Sequence, residues 1–388
     1  MRFLFLSLTA IAAVPLVSAA RAASCERWAQ VESPNISVKG DNTFAAVDGR
    51  TPDDVWAVGQ YAPDSNVNIT LTFVAHYDGR AWSYVPSPNV GKQANAFHSL
   101  AVTPAGQVWA VGYYIDDRTF YSRALIEFWD GAQWQVIKHP DDPGASAVLF
   151  GVSAASTHNI WAVGEYQHPL DRFHTLIEHF DGTRWSIVPS PDPGTTGNVL
   201  YGVKALDRNA AWAVGEENGN GPLDRALILG WGGEKWTAFD APGDPGTNTR
   251  LLSLAADSAG VIYAVGEAEN DFKRTAALSE MAMAGRRWSI ERTPQVGKSD
   301  NHFYGVAADA GGTRWAVGAW FDPKSGRQFT LAERSRAGEA WQVLDSPSPS
   351  KSGDSLLATA VAVGHDVWAV GAYDGPKAQK SLILHTCR

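Results

Sequence analysis

The tetrapeptide Trp-Ala-Val-Gly begins at Trp56, Trp109, Trp161, Trp212, Trp315 and Trp368, and Tyr263-Ala-Val-Gly fills the remaining slot. The steps between these seven copies are 53, 52, 51, 51, 52 and 53 residues. A second series runs in phase with the first: Trp28, Trp82, Trp134, Trp185, Trp236, Trp288 and Trp341. Thirteen of the 16 tryptophans therefore occupy two repeat positions. A fixed period of this length means an array of one supersecondary unit, which cannot bury its apolar face alone.

The third copy shows the unit most plainly. Apolar runs over 149–155, 160–166, 175–180 and 185–188 read as four strands. Asp181-Gly182 joins the last two, a turn pair that tolerates positive φ. The same turn recurs as Asp78-Gly79 and Asp130-Gly131, and degenerates to Gly232-Gly233 and Ala337-Gly338. Pro189-Ser190-Pro191 then stops the fourth strand.

Four strands per period point to an all-β fold, a seven-bladed β-propeller of four-stranded antiparallel blades. Residues 28–31 read as a fourth strand and 381–385 as a third, so the N-terminal strand is expected to complete the last blade. Closing the ring this way removes exposed strand edges. The two tryptophan series are expected to pack blade against blade. The tetrapeptide glycine is expected to permit a close backbone approach or a bulge.

Residues 1–22 read as a signal peptide, with Arg2, an apolar stretch from Phe3 to Val17, and Ala20-Arg21-Ala22 as the cleavage region. The mature domain is then 23–388, secreted or periplasmic. No later segment is long and apolar enough to span a membrane. The chain has two cysteines, Cys25 and Cys387. In an oxidising compartment a Cys25–Cys387 disulfide that latches the ring is expected. Lipidation of Cys25 is the alternative.

The charge is -9, from 32 Lys and Arg against 41 Asp and Glu, with no basic run. That excludes nucleic acid as an expected partner. No nucleophile elbow, phosphate loop or dinucleotide fingerprint is present. No cofactor and no metal site are expected, and a monomer is the expected state.

Trp185-Ser186-Ile187-Val188-Pro189-Ser190-Pro191 and Asn159-Ile160-Trp161-Ala162-Val163-Gly164 resemble secreted bacterial propeller repeats. These are broadly similar to the kelch and galactose-oxidase propeller class. The resemblance covers nearly the whole mature chain and implies the fold. It implies no single activity, because propellers host many functions.

In a propeller the fourth-to-first and second-to-third connections share one face, at the mouth of the central channel. Asn42, Asn95, Asn198, Asn248 and Asn301 map to that rim, with Asp354 in a similar place. They offer amides to sugar hydroxyls or, alternatively, Asx-turns that start the inner strands. A blade-specific slot reads Ala45, His98, Phe150, Tyr201, Leu252 and Tyr304, with His302 just upstream. His98 and His302 are candidate bases, and Tyr201 and Tyr304 candidate assisting groups, if the protein is an enzyme. Trp129, Trp231 and Trp320 lie outside both series and are candidate stacking surfaces. Charged second-to-third loops hold Asp116-Asp117-Arg118, Asp171-Arg172, Asp224-Arg225, Asp271 with Lys273-Arg274, and Asp322 with Lys324. The functional expectation is a binding module recognising a glycan, peptide or protein at the channel mouth. The alternative is an extracellular lyase or hydrolase with its active site there.

Overall fold

The computed structural model describes residues 27–387 apart from 65–68, 141–145, 220, 222, 244–245, 271–273, 285–286, 298, 337, 352 and 365. The expected signal peptide, Cys25, Ala337, Asp271 and Lys273 lie outside the described residues.

Among the described residues, seven four-stranded antiparallel sheets form. Their inner strands are Asn42–Thr51, Asn95–Val102, Ser146–Ser156, Gly197–Asp207, Thr247–Ala256, Asn301–Ala308 and Ser355–Val363, which number blades one to seven. Each inner strand touches the next, and Ser355–Val363 touches Asn42–Thr51, so the circle closes. Within blades one to six the strands follow chain order outward.

The seventh sheet is built from both ends of the chain. Ser355–Val363, Asp366–Asp374 and Gln379–Cys387 pair in order, and Ala29–Val31 supplies the outer strand. Ala29 faces His385 and Val31 faces Ile383. The disulfide latch is corrected: no disulfide is found among the described residues, which leave out Cys25 and the side chain of Cys387. Among the described residues the ring is closed by the backbone ladder between 29–31 and 383–385, reinforced by Asn35 Oδ1, which accepts from Ser381 N at 3.0 Å.

Packing between blades follows from the two aromatic series. The tetrapeptide tryptophan of each blade meets the fourth-strand tryptophan of the next. Ring centroids lie 5.9 Å apart for Trp56 and Trp134, 5.5 Å for Trp109 and Trp185, and 5.1 Å for Trp161 and Trp236. They lie 5.6 Å apart for Trp212 and Trp288, and 5.4 Å for Trp368 and Trp82. All five pairs are edge-on, the arrangement the ring quadrupole favours. Trp315 and Trp28 share a buried cluster. At the seventh junction Tyr263 replaces tryptophan, and the Arg314 guanidinium sits 4.9 Å from its ring and 5.1 Å from that of Trp341.

Candidate functional site

The tetrapeptide glycine builds the channel lining. A Cβ on Gly59, Gly112, Gly164, Gly215, Gly266, Gly318 or Gly371 would lie 1.8–2.2 Å from a backbone oxygen of its own inner strand. Only glycine allows that approach. Opposite each glycine the inner strand shifts register by one residue. The extra residues are Ala45, His98, Phe150, Tyr201, Leu252, Tyr304 and Ala358. A bulge re-aims its side chain, and here all seven line one cavity of about 160 Å³. His98, Tyr201 and Tyr304 are therefore brought to one place, as the blade-specific slot implies. A second chamber of about 270 Å³ continues toward the opposite face, with Asp48 and Lys204 among its walls.

His98 lies parallel to Phe150, with centroids 5.0 Å apart, and its Nδ1 is 3.2 Å from Leu149 O. Burial pulls its pKa down to about 4, so the ring is neutral at physiological pH. His302 does not line the cavity. Its Nδ1 is 3.0 Å from Glu267 Oε2, and its ring lies parallel to Tyr304 at 5.9 Å.

The asparagines occupy a different environment from an open rim. Asn42, Asn95, Asn198 and Asn301 are wholly buried. Each amide closes on the backbone of its preceding loop. Asn95 Oδ1 accepts from Val90 N and Gly91 N, while Nδ2 donates to Gly91 O at 2.7 Å. Asn42, Asn198 and Asn301 bond to residues 37–40, 194 and 296–299 in the same way. Asn248 sits one register earlier and accepts from Asp224 N, as Asp354 accepts from Gln328 N. Asn42, Asn95, Asn198 and Asn301 thus hold the fourth-to-first loops in place, while Asn248 and Asp354 tie their inner strands to the start of the third strand of the preceding blade. Trp129, Trp231 and Trp320 pack on Trp56, Trp161 and Phe329 at 5.2, 4.9 and 5.0 Å.

The sequence reading missed a further set. Blades three, four and five place a glutamate directly after the tetrapeptide: Glu165, Glu216 and Glu267. The other blades have Gln60, Tyr113, Ala319 and Ala372 there. This departure from the repeat was readable as a pentapeptide. Each glutamate lies on its second strand just beyond the bulge, toward the mouth. Tyr201 Oη donates to Glu216 Oε1 at 2.9 Å. Arg250 Nη2 donates to Glu267 Oε1 at 2.8 Å. Glu216, Arg250 and Glu267 line a small pocket of about 130 Å³ with Asp224, Asn248 and Glu269.

Environment separates the three carboxyl groups. Burial, with the neighbouring Glu216 charge, raises Glu165 to about 7. Burial also raises Glu216, against the Tyr201 hydrogen bond and the Arg250 charge. Burial would raise Glu267 too, but the His302 hydrogen bond and Arg250 overcome it and hold the group below its usual value. Tyr304 is pushed up to about 12, mainly by burial, so it stays a phenol. The mouth thus presents one ionised carboxylate, two carboxyls held toward the neutral form, two phenols and a cation. Among the described residues no cluster of His, Cys, Asp and Glu has metal-holding geometry.

No family model and no curated protein matches this chain. Solved structures do. YCF48 bound to D1 peptide aligns with TM-score 0.55 at 12% identity, over 93% of this chain and 97% of that one. A polysaccharide lyase, the PL25 ulvan lyase bound to -[GlcA(1-4)Rha3S]-, aligns with TM-score 0.58 at 9% identity, over 91% and 97%. The β-propeller domain of the Trilobed protease from Pyrococcus furiosus aligns with TM-score 0.50 at 9% identity, over 88% and 95%. The chain is a β-propeller. At these identities the likeness fixes the fold alone, and the resemblance to kelch-class repeats goes no further than that fold.

Proposed function

We propose that this propeller is an exported binding module that holds a saccharide at the channel mouth. The observation that carries the reading is the run of Glu165, Glu216 and Glu267 on consecutive blades, set beside Tyr201, Tyr304 and His302. Carboxylates and neutral carboxyls accept from and donate to hydroxyl groups, and phenol and imidazole rings offer faces for the apolar side of a sugar. A pocket with few converging polar groups among aromatic walls is the usual form of a small-ligand site. The ulvan lyase structure carries a saccharide on the same fold, and YCF48 carries a peptide, so a peptide is the competing ligand.

A second reading has its own observation. Glu165 titrates near 7 while Glu267 is held ionised. Carboxyl groups pushed apart in this way are the acid and base of glycoside hydrolysis. Lyase or hydrolase chemistry would then centre on these glutamates with Tyr201, and His98 would serve as a wall.

The deciding experiment is isothermal titration with a panel of neutral and uronate oligosaccharides, on the wild type and on Tyr201→Phe and Glu216→Gln. A saccharide that binds the wild type and loses about tenfold in affinity in either variant, or about 1.4 kcal/mol, supports the site. Equal affinity in all three proteins refutes it. New reducing ends or unsaturated products from the bound saccharide would move the assignment to the enzyme reading.

A further inference from the structure

His98 shows what kind of group the channel receives. Its Nδ1 lies 3.2 Å from Leu149 O, and a carbonyl oxygen only accepts, so the ring proton sits on Nδ1. Nε2 is then a bare lone pair. It has no hydrogen-bond partner among the described residues, although the ring is enclosed and lines the channel cavity. Burial keeps the ring neutral down to about pH 4, so Nε2 accepts and does not donate across the neutral range. A lone pair turned into a cavity without a partner calls for a donor from outside.

The boundary of blades three and four repeats the point. Tyr201 Oη gives its one proton to Glu216 Oε1 at 2.9 Å, so its lone pairs are what it has left to offer. Glu165 has no hydrogen bond and no ion pair among the described residues. Burial raises it, and the one charge that adds to the shift is the like charge of Glu216. The cation of the next sector is committed. Arg250 is the one Lys or Arg that lines either mouth cavity, and it bonds Glu267, which also holds His302. Asp224 and Glu269 add two more carboxyl groups to that pocket.

Ligand classes fare differently against such walls. A uronate carboxylate would meet lone pairs and carboxyl groups and find no uncommitted cation, a like-charge contact of the kind that already acts between Glu216 and Glu165. A hydroxyl brings one donor and no charge. An ammonium brings three donors and a positive charge. It matches Glu165, Glu216 and the Tyr201 oxygen, and its charge offsets the repulsion between the two carboxylates. The Phe150 and Tyr201 rings, with centroids 5.5 Å apart, add aromatic surface that attracts a cation.

We infer that the saccharide held at the mouth carries a free amine, and that its ammonium group sits between Glu165 and Glu216 beside the Tyr201 oxygen, with a further donor of the ligand reaching His98 Nε2. The inference rests on the reading of the mouth as a saccharide site and names the class of saccharide. Removing the charge of the amine by acetylation, or replacing the amine by a hydroxyl, removes what Glu165 and Glu216 recognise.

The test is isothermal titration of the full chain at about pH 6.5 with three β-1,4-linked tetrasaccharides that differ at carbon 2 alone, built of glucosamine, N-acetylglucosamine or glucose. The proteins are the wild type, Glu165→Gln and Glu216→Gln. The glucosamine tetramer is expected to bind the wild type at least about tenfold more tightly than either other sugar, and to lose about tenfold in Glu165→Gln. The comparison of the three sugars uses the wild type alone and holds whether or not a variant folds. Equal or tighter binding of the glucose or N-acetylglucosamine tetramer, or of a uronate, overturns the inference and leaves the saccharide reading standing. No binding of any saccharide at about 1 mM overturns both. Glucosamine binding undiminished in both variants places the amine elsewhere and overturns the inference. Binding of trilysine that weakens about tenfold in Glu165→Gln, with no saccharide bound, also overturns it and assigns the site to a peptide lysine.

Discussion

Trp161 of blade three stands edge-on to Trp236 of blade four, with ring centroids 5.1 Å apart and planes at 89°. Both rings are almost wholly buried. The pair is one link in a circle, so losing either ring opens a cavity between two blades. Trp161→Ala is expected to cost about 3–5 kcal/mol, the range for deleting a buried aromatic ring. Chemical denaturation followed by tryptophan fluorescence checks this. A midpoint unchanged from the wild type would show that this pair is not what holds the two blades together.

The glycine argument is equally direct. A Cβ at Gly215 would sit 1.8 Å from Val199 O, whereas one at Gly221 meets nothing within 4 Å. Gly215→Ala is expected to destabilise by about 3 kcal/mol or more, since backbone must move to relieve the overlap. Gly221→Ala is expected to fall within about 0.5 kcal/mol of the wild type. Thermal unfolding of both variants tests the pair, and equal melting temperatures would contradict the bulge geometry.

Two buried carboxyls should make the fold sensitive to alkali. Glu127 and Glu333 are wholly buried, and neither carboxyl has a hydrogen-bond partner. Burial raises each to about 8. A raised folded pKa means the native state binds more protons than the unfolded chain between the ordinary glutamate value of 4.5 and about 8. Their contribution is therefore fully present below about pH 4.5 and is lost as pH rises toward 8, at up to about 1.4 kcal/mol per pH unit per group. Glu127→Gln and Glu333→Gln should flatten this slope and raise stability at pH 8 relative to the wild type. Denaturation midpoints from pH 5 to 9 would show it, and parallel curves for variant and wild type would count against it.

At the channel mouth Glu165 is a group whose proton moves near neutrality. With Glu165 raised to about 7 and His98 lowered to about 4, ligand affinity between pH 6 and 8 should follow the glutamate. Glu165→Gln is expected to abolish that dependence, and His98→Gln to leave it unchanged. Carbon-13 NMR of labelled glutamate should show a carboxyl titrating near pH 7 that disappears in Glu165→Gln. Its persistence in that variant would reassign the group.

The architecture was legible because a repeat writes its structure into the sequence many times. Trp161 and Trp236 occupy positions that recur every 51–53 residues, and position within the repeat already implied who packs on whom. The glycine after Val163 likewise implied close approach. The channel-facing slot of His98, Tyr201 and Tyr304 was legible too, since it is where the repeat varies. The asparagines kept two readings open for a physical reason: a polar residue at a strand start reads alike whether its amide faces solvent or closes on its own loop. Asn95 does the latter, and only the folded loop shows it.

What the sequence determined by itself is therefore the unit, its number of strands and the pairing of the two ends, because period and apolar pattern are local properties summed along the chain. Tertiary structure alone decided the chemistry of the mouth. Glu165, Glu216 and Glu267 are about 51 residues apart in sequence, and their different proton affinities arise from burial, from Tyr201 and Arg250 within the blades of Glu216 and Glu267, and from contacts between blades: Glu216 on Glu165 and His302 on Glu267. Ionisation depends on burial and on charges a few ångströms away through space, and the contacts between blades, such as His302 with Glu267, exist only once the blades have packed together.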